Sequence, residues 1–249
     1  MVPTRLRIFA VADIHSPDSF VMPRITPENY DLLVTLGDID INTLDYIWNM
    51  ACGVPWVGVL GNHDEKASDV SFLPSVHGCS MEFQGVRVGG CGGAPRYKNA
   101  PNHYTERQVR RVLRRVPGID LFISHAPPPV AVYKGQVAAG RGRIHRGFDA
   151  FDRYLWATQP QFWLHGHLSA RYSCSVGKTT VVGVSGAQSL VLDFIKRPAP
   201  VPAPWPRKLL DFLPELWARN LHPDSINSPR KKAWWFQREP RKVHIPPEI

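Results

Sequence analysis

Cysteine is scarce in this sequence of 249 residues: there are only four, and no two of them form a CxxC pair. Such spacing argues against a zinc ribbon or a disulfide scaffold, so we expect reduced thiols in a core.

Long apolar runs are also missing. The longest, at 8–12, 56–60 and 179–184, are strand-sized, whereas a membrane-spanning helix needs roughly 20 residues. The first residues lack the basic, apolar and small-residue order of a secretory signal. We therefore expect a cytoplasmic protein without a transmembrane segment.

The overall composition is typical of a globular protein, with 43% hydrophobic and 20% charged residues. The formal net charge of +9 favours anionic partners. Residues 196–249 hold 11 of the 30 basic residues, 11 of the 24 prolines and four of the eight tryptophans. Alternating prolines at 198–206 predict an extended polyproline II spacer. We therefore predict a folded domain over residues 1–196 and a basic, Pro/Trp-rich extension over residues 197–249.

Apolar runs alternate with helix-like or loop segments through the first domain, which predicts an α/β fold. The predicted strands lie at 6–11, 32–36, 56–59, 121–124 and 162–164. Three later runs, at 171–176, 179–184 and 190–195, are separated by turn residues and predict antiparallel hairpins that close a mixed sheet. The glycine-rich stretch at 89–93 lacks the order of a phosphate-binding loop, and it predicts a flexible turn that leaves a strand.

Metal-ligating residue types follow five of the predicted strands, at the point where each strand ends. They are Asp13 with His15, Asp38, Asn62 with His63 and Asp64, His125, and His167. An open α/β sheet places its ligands at the carboxyl ends of its strands, so these side chains should converge. Carboxylate, amide and imidazole donors without thiolate suit Mn, Fe, Zn, Ni or Mg. The number of ligands implies two ions, and Asp38, central and preceded by Gly37, is the natural bridge between them.

With these residues the sequence resembles the calcineurin-like metallophosphoesterase superfamily, in particular its small, uncapped bacterial-type members. The family's successive motifs are DxH, GD, GNHD/E, a lone His and GHxH. Here they read Asp13-Ile-His15, Gly37-Asp38, Gly61-Asn-His-Asp64, His125 and Gly166-His167. The resemblance implies a four-layer α/β/β/α sandwich with mixed sheets. It also implies hydrolysis of a phosphomonoester or phosphodiester by a metal-activated hydroxide.

The resemblance further implies a role for each site residue. The implied ligands are Asp13 and His15 for the first metal, Asn62, His125 and His167 for the second, and Asp38 for both. His63 would sit over the phosphate, to stabilise the transition state or protonate the leaving group, with Asp64 orienting it. Asn62 would also contact substrate. We expect two divalent ions, Mn²⁺ first and Fe, Zn, Ni or Mg as alternatives.

One position departs from the family pattern. The last motif reads Gly166-His167-Leu168-Ser169, with serine where the family has a second histidine that normally binds the first metal. Serine is a far poorer ligand than imidazole. A water molecule could fill the position, His165 could substitute although we favour a packing role for it, or the first site could stay weak. We predict a tight second site and a weak first one.

Further basic residues are candidate contacts for substrate or for an anionic partner. Arg96 is a predicted substrate contact, and His145 could approach the substrate. Arg107, Arg110, Arg111, Arg114 and Arg115 share one face of a predicted helix. We interpret this face as solvated, with a docking strip for a polyanion as the alternative. Residues 230–236 mix cations with aromatics, as membrane and nucleic-acid surfaces do, but we favour packing of the extension onto its own domain or onto a second protomer.

The leading interpretation is a metal-dependent phosphoesterase. One alternative is a binding or regulatory protein on the same scaffold, in which Ser169 weakens turnover and the basic extension carries the function. A nuclease is the other alternative, and it rests on charge distribution alone. The presence of His63 and Asp64 favours an enzyme, because a binding scaffold needs no leaving-group acid. The sequence leaves the substrate, the native metal and the oligomeric state open.

Overall fold

A computed structural model describes residues 3–14, 25–51, 53–65, 70–116, 118–137, 143–195 and 243–244. The strands of this part of the chain are β1 (Thr4–Ala12), β2 (Leu32–Thr35), β3 (Trp56–Gly58), β4 (Ser80–Phe83), β5 (Val86–Cys91), β6 (Ala94–Pro95), β7 (His103–Tyr104), β8 (Leu121–Ser124), β9 (Phe162–His165), β10 (Tyr172–Val176), β11 (Thr179–Gly183), β12 (Gly186–Phe194) and β13 (Val243–His244). The helices are α1 (Ile41–Met50), α2 (Glu106–Leu113), α3 (Pro129–Lys134), α4 (Arg143–Arg146) and α5 (Asp149–Thr158). The five strands first predicted from apolar runs are confirmed as β1, β2, β3, β8 and β9.

Among the described residues, five strands form sheet 1 in the order β13-β12-β1-β2-β3. β1, β2 and β3 run parallel to one another. On its other side β1 pairs antiparallel with β12 over nine residues, from Thr4 opposite Phe194 to Ala12 opposite Gly186. Two residues of the predicted extension, Val243–His244, add the edge strand β13 to β12.

Within the same described ranges, six strands form sheet 2 in the order β10-β11-β9-β8-β5-β4. The central strands β11, β9, β8 and β5 are parallel, and β10 and β4 pair antiparallel at the two edges. Both sheets are therefore mixed. The short strands β6 and β7 pair with each other alongside.

Three apolar cores separate the layers of the described fold. Alternate residues of the strands, such as Ile8 in sheet 1 and Ile123 in sheet 2, share one fully buried core between the sheets. The opposite faces of the strands carry the other cores: Phe9 packs with Ile47 of α1, and Phe122 packs with Phe151 of α5. Period-2 alternation thus gives each sheet two buried faces. The predicted four-layer α/β/β/α sandwich is confirmed.

The predicted run of hairpins is only partly correct. β10 and β11 form an antiparallel hairpin, but β12 leaves sheet 2 and pairs with β1 in sheet 1. The two residues between β11 and β12 therefore carry the chain from one sheet to the other. The reason lies in burial: Leu190 and Leu192 complete the core between the sheets, and a hairpin with β11 would leave β1 without its antiparallel neighbour.

Most of the glycine-rich stretch at 89–93 belongs to a strand, which corrects the prediction of a turn, and only Gly92 and Gly93 follow β5. Gly89 and Gly90 lie inside β5, and the strand continues to Cys91. A Cβ atom on Gly90 would collide with the carbonyl oxygen of Ile123 on the neighbouring strand β8. Glycine is used here for close approach of two backbones and not for flexibility.

The five arginines predicted on one helical face are all exposed, while Val109, Leu113 and Val116 point into the core. The helix itself is shorter than predicted, because α2 ends at Leu113 and Arg114 caps it. In the part of the chain that the structure describes, no helix has the length and apolar character needed to cross a membrane.

Candidate metal centre

The predicted ligands follow strands whose carboxyl ends meet at one edge of the sandwich. Asp13 follows β1, Asp38 follows β2 and Asn62 follows β3, and these three strands are parallel. His125 and His167 follow β8 and β9, which are parallel in sheet 2. Parallel strands end at the same edge, so the loops after them converge.

Four of the predicted ligand side chains form one cluster around His125. Its Nε2 atom lies 3.2 Å from Asp38 Oδ2, 3.1 Å from Asn62 Oδ1 and 3.0 Å from His167 Nδ1. The ligand atoms of Asp38, His125 and His167 all lie within 4.8 Å of one another. Asp38, Asn62 and His125 are buried. The set predicted for the second metal plus the bridging carboxylate is thus brought together.

A backbone carbonyl selects the nitrogen of His125 that can bind a metal. His125 Nδ1 lies 2.8 Å from the carbonyl oxygen of Leu36. A carbonyl oxygen can only accept, so Nδ1 carries a hydrogen, and Nε2, which faces the cluster, is the nitrogen that would bind a metal ion once the ion displaces its proton. Metal-binding histidines are commonly oriented in this way. The donor set of one carboxylate, one amide oxygen and two imidazoles therefore fits a divalent ion.

Burial and charge act in opposite directions on this cluster. Burial acts to raise the pKa of Asp38, but the hydrogen bond and charge of His125 outweigh it and lower that pKa to about 2. Burial acts to lower the pKa of His125, but Asp38 raises it to about 9. The carboxylate therefore stays ionised over the whole neutral range.

The residues predicted for the first metal are described only in part. The Asp13 carboxylate accepts the backbone N–H of His167, with its two oxygens at 3.1 and 3.0 Å, which joins the loops after β1 and β9. His15 lies outside the described residues. Ser169, in the position of the family's second histidine, is exposed. The ligand role of these residues stays a prediction.

The backbone is left-handed at four residues of this edge. Asp13, Asp38, His167 and Ser169 have φ values of 57°, 53°, 70° and 44°, and they make up half of the eight described non-glycine residues with positive φ. L-residues rarely adopt this conformation outside sites where the surroundings enforce it. Gly61 is required beside them because a Cβ atom there would collide with the Asp38 carboxylate.

Asp64 connects two ligand loops. Its carboxylate accepts the backbone N–H groups of Asp38, Ile39 and Gly61, at 3.0, 2.8 and 2.7 Å. Burial raises the pKa of Asp64 against these hydrogen bonds. These contacts tie the loop after β2 to the loop after β3. Sequence reasoning gave this carboxylate a different task, orienting His63, and that task stays a prediction.

The predicted catalytic histidine stands at the rim. The backbone N–H of His63 donates to Asp38 Oδ1 at 2.8 Å, and the residue is exposed. His63 is thereby attached to the Asp38 carboxylate through its own backbone. The residue is therefore exposed next to the buried ligand cluster, and its catalytic role stays a prediction.

His165 is engaged on both ring nitrogens. Nδ1 donates to the carbonyl oxygen of Gly166 at 2.8 Å, and Nε2 accepts from the Tyr172 hydroxyl at 2.7 Å. The side chain is fully buried, and burial lowers the pKa of the ring to about 4. These contacts favour the packing role over replacement of the missing ligand.

Arg96 and His145 lie on two different segments of the chain, after β6 and in α4. The His145 ring stacks on the His167 ring, with centroids 5.3 Å apart. Arg96 is exposed after β6 and donates, at 3.4 Å, to the His103 carbonyl and to Gln108 Oε1. His145 is therefore close to a predicted ligand, while the contacts of Arg96 are to β7 and α2.

Sequence reasoning did not find the groups that hold two buried histidines of this edge, the Leu36 carbonyl at His125 and the Tyr172 hydroxyl at His165. Leu36 contacts His125 through its backbone carbonyl, so the identity of its side chain gives no indication of this role. Tyr172 was visible only as part of an apolar strand. The first contact joins a segment of sheet 2 to one of sheet 1, and the second joins two strands within sheet 2.

A family model for calcineurin-like phosphoesterases matches residues 6–170 of the chain, which include every predicted ligand. A search of the curated proteins finds no match. The crystal structure of TT1561 of Thermus thermophilus is similar, with 16% identity, a TM-score of 0.52 and coverage of 76% of this chain and 95% of that one. A dimetal phosphatase from Danio rerio has 12% identity and a TM-score of 0.48, covering 77% of this chain and 93% of that one. The resemblance noted in the sequence is confirmed: the chain belongs to the calcineurin-like phosphoesterase family.

Proposed function

We propose that this protein is a metal-dependent phosphoesterase that hydrolyses a phosphomonoester or a phosphodiester at a dinuclear centre. The observation that carries the proposal is the cluster of Asp38, His125 and His167, whose ligand atoms lie within 4.8 Å of one another. A buried carboxylate and two imidazoles at this spacing fit a cation better than they fit a structural role. Family membership supports the same chemistry.

The ligands divide between two ions. Asn62, His125 and His167 would hold the second ion, Asp13 and His15 the first, and Asp38 both. When bound, divalent ions such as Mn²⁺ would act as Lewis acids toward the phosphoryl oxygens and lower the pKa of water, which supplies the hydroxide.

The chain's own residues would position the substrate and manage the leaving group. His63 is exposed at the rim, where its imidazole could contact the phosphate and protonate the departing oxygen. The amide of Asn62 contributes a further polar contact. Asp64 keeps the loops of Asp38 and Gly61 together through backbone N–H groups, so the geometry around the phosphate depends on it.

A nuclease is the second candidate, favoured by one observation. The five arginines along and just beyond α2 are all exposed, and such a face could contact the phosphates of a nucleic acid. Binding through this face would weaken steeply with salt.

The first experiment measures Mn²⁺-dependent hydrolysis of 4-nitrophenyl phosphate and bis(4-nitrophenyl) phosphate, with metal content determined on every sample. Asp38→Asn should lose metal and activity together. His63→Ala should retain metal and lose activity by about 100-fold or more, the usual contribution of a general acid. Glu82→Gln, on exposed β4, is the control. Bound metal without activity in the wild-type protein would contradict the proposal and favour a binding scaffold.

A further inference from the structure

A cavity of about 470 Å³ opens among three segments of the described fold. One wall holds Pro95 and Arg96, a second holds residues 104–106, and the third holds residues 146–149. The volume is in the range of small-molecule sites. Metal coordination does not account for this cavity, because none of its lining residues is a predicted ligand.

Two of its walls are attached to ligand loops. The backbone N–H of Gly93, just before β6, donates to the Leu60 carbonyl at 2.6 Å, directly before the Gly61-Asn62 loop. Gly147 packs so closely on the Pro127 carbonyl, two residues after His125, that a Cβ atom there would collide with it. The cavity therefore adjoins both the loop after β3 and the loop after β8.

His145 connects the third wall to the centre itself. It directly precedes the lining residues Arg146 and Gly147, and its ring stacks on His167. A substrate whose phosphate lies on the ligand cluster would therefore extend past His145 into the cavity.

Of the charged side chains that line the cavity, one cation is available to contact a ligand. Arg146 pairs with Asp149 at 2.9 Å, and the Glu106 carboxylate accepts the backbone N–H groups of Asp149 and Ala150 at 2.9 and 3.0 Å. Arg96 has no carboxylate within ion-pair distance among the described residues. Its contacts are the two long ones at 3.4 Å to neutral oxygens. Long hydrogen bonds of this kind are weak, so the guanidinium can turn to a ligand.

The rest of the lining is partly apolar. Pro95, Tyr104 and Phe148 contribute hydrocarbon or ring surface. Together with Arg96 they suit an organic group that ends in a negative charge, since an arginine fork recognises carboxylate and phosphate oxygens.

We propose that this cavity binds the alcohol half of the substrate, and that the preferred substrates are phosphate esters whose alcohol half carries a second anionic group. The inference rests on the proposed function. The second anionic group would be a carboxylate or a further phosphate, and Arg96 would contact its oxygen atoms.

A matched set of three esters tests the proposal on the full chain with Mn²⁺. Phenyl phosphate has a neutral leaving group, 4-carboxyphenyl phosphate adds a carboxylate, and 1,4-phenylene bisphosphate adds a phosphate on the same ring. We expect kcat/KM for an anionic ester to exceed that for phenyl phosphate by about tenfold, the usual effect of one charged hydrogen bond. Whichever anionic ester is faster identifies the kind of group.

Arg96→Gln should remove this preference, so that the anionic esters and phenyl phosphate are hydrolysed with similar kcat/KM. Arg96→Lys should keep part of the preference for anionic esters, because lysine keeps the positive charge but lacks the two parallel N–H donors of the guanidinium group. Lys178→Gln, which removes one positive charge from the exposed β10–β11 turn, is the control and should keep the preference.

Calorimetric titration with 4-hydroxybenzoate and with phenol gives a readout that needs no turnover. Binding of 4-hydroxybenzoate that weakens about tenfold in Arg96→Gln supports the cavity even if all three esters resist hydrolysis, a result that would contradict only the proposed function. Equal hydrolysis of the three esters, together with binding that Arg96→Gln does not alter, overturns the inference and leaves the phosphoesterase proposal standing.

Discussion

At the scale of single residues, one carboxylate supports two ligand loops. Asp64 accepts three backbone N–H groups, and an asparagine would present an NH₂ group to some of them. We expect Asp64→Asn to lower the free energy of unfolding by about 3 kcal/mol and to weaken metal binding about tenfold or more. Urea unfolding with chelator present and titration with Mn²⁺ measure the two effects.

The neighbouring Glu65→Gln, an exposed change of the same chemistry, serves as the control for Asp64→Asn. If Asp64→Asn kept both the unfolding midpoint and the Mn²⁺ affinity of the wild-type protein, the three backbone contacts would not be what positions the loops.

The prediction of a weak first metal site can be tested by replacing Ser169 with the histidine of the family motif. Its φ of 44° is left-handed, a conformation that histidine and asparagine tolerate better than most residues. We expect Ser169→His to raise the metal content after dialysis from one ion per chain toward two. Ser169→Asn, equally suited to the backbone but a poorer ligand, is the control. Two tightly held ions in the wild-type protein would contradict the predicted weak site.

The meeting of four polar side chains around His125 could be predicted from the sequence, because each belongs to a short motif that follows an apolar run. Their supporting contacts could not. The hydrogen bond from His125 to Leu36 joins residues on different sheets, and the three partners of Asp64 are backbone groups. The side chain of a residue says nothing about where its backbone N–H or carbonyl points.

At the scale of elements, α3 and α5 are joined by a buried carboxyl group. Asp152 Oδ1 accepts the N–H of Val130 at 3.0 Å, and within the described residues Oδ2 has no hydrogen-bond partner. Burial is the main cause that raises the pKa of Asp152 to about 7. Asp149 and Glu106 add to the rise, while Val130 and Arg146 oppose it.

The raised pKa predicts a pH dependence of stability. Between pH 4 and 7 the folded state binds the Asp152 proton more tightly than the unfolded state, so this contribution is present at low pH and lost as pH rises to about 7. We expect Asp152→Asn to remove this pH-dependent contribution, which amounts to up to about 4 kcal/mol of the free energy of unfolding. The difference in unfolding free energy between variant and wild type, measured from pH 4.5 to 8 with chelator, checks it. A constant difference would contradict it.

Strands were easier to predict than their partners. Apolar runs revealed β1, β2, β3, β8 and β9, since buried parallel strands read as continuous hydrophobic stretches. The strand β5 was missed because its glycines are required by the close approach of β8, which lies far along the chain. The pairing of β12 with β1 was missed because the short turn before β12 does not indicate which sheet the next strand joins.

At the scale of the whole molecule, the extension contributes to the sandwich through β13. Val243–His244 covers part of the β12 edge. A chain ending at Arg197 should retain metal-dependent hydrolysis, because every predicted ligand precedes that residue. It should also associate more readily, since an uncovered strand edge invites pairing. Sedimentation and 4-nitrophenyl phosphate assays of both chains test this, and loss of folding would contradict the predicted boundary.

The basic character of the molecule makes a separate prediction. If the α2 arginines or the extension contact a polyanion, binding should fall steeply between low and physiological salt. Titration with single-stranded DNA, and flotation with anionic vesicles, compare the full chain with the one ending at Arg197. Salt-independent binding would contradict an electrostatic contact.

The pairing of β1 with β12 has a consequence for synthesis of the protein. β1 is synthesised before its antiparallel partner β12, which ends at Phe194, and before His167, whose backbone N–H the Asp13 carboxylate accepts. One edge of β1 therefore stays uncovered until β12 has been translated. During that interval the uncovered edge of this apolar strand is open to pairing with other nascent chains.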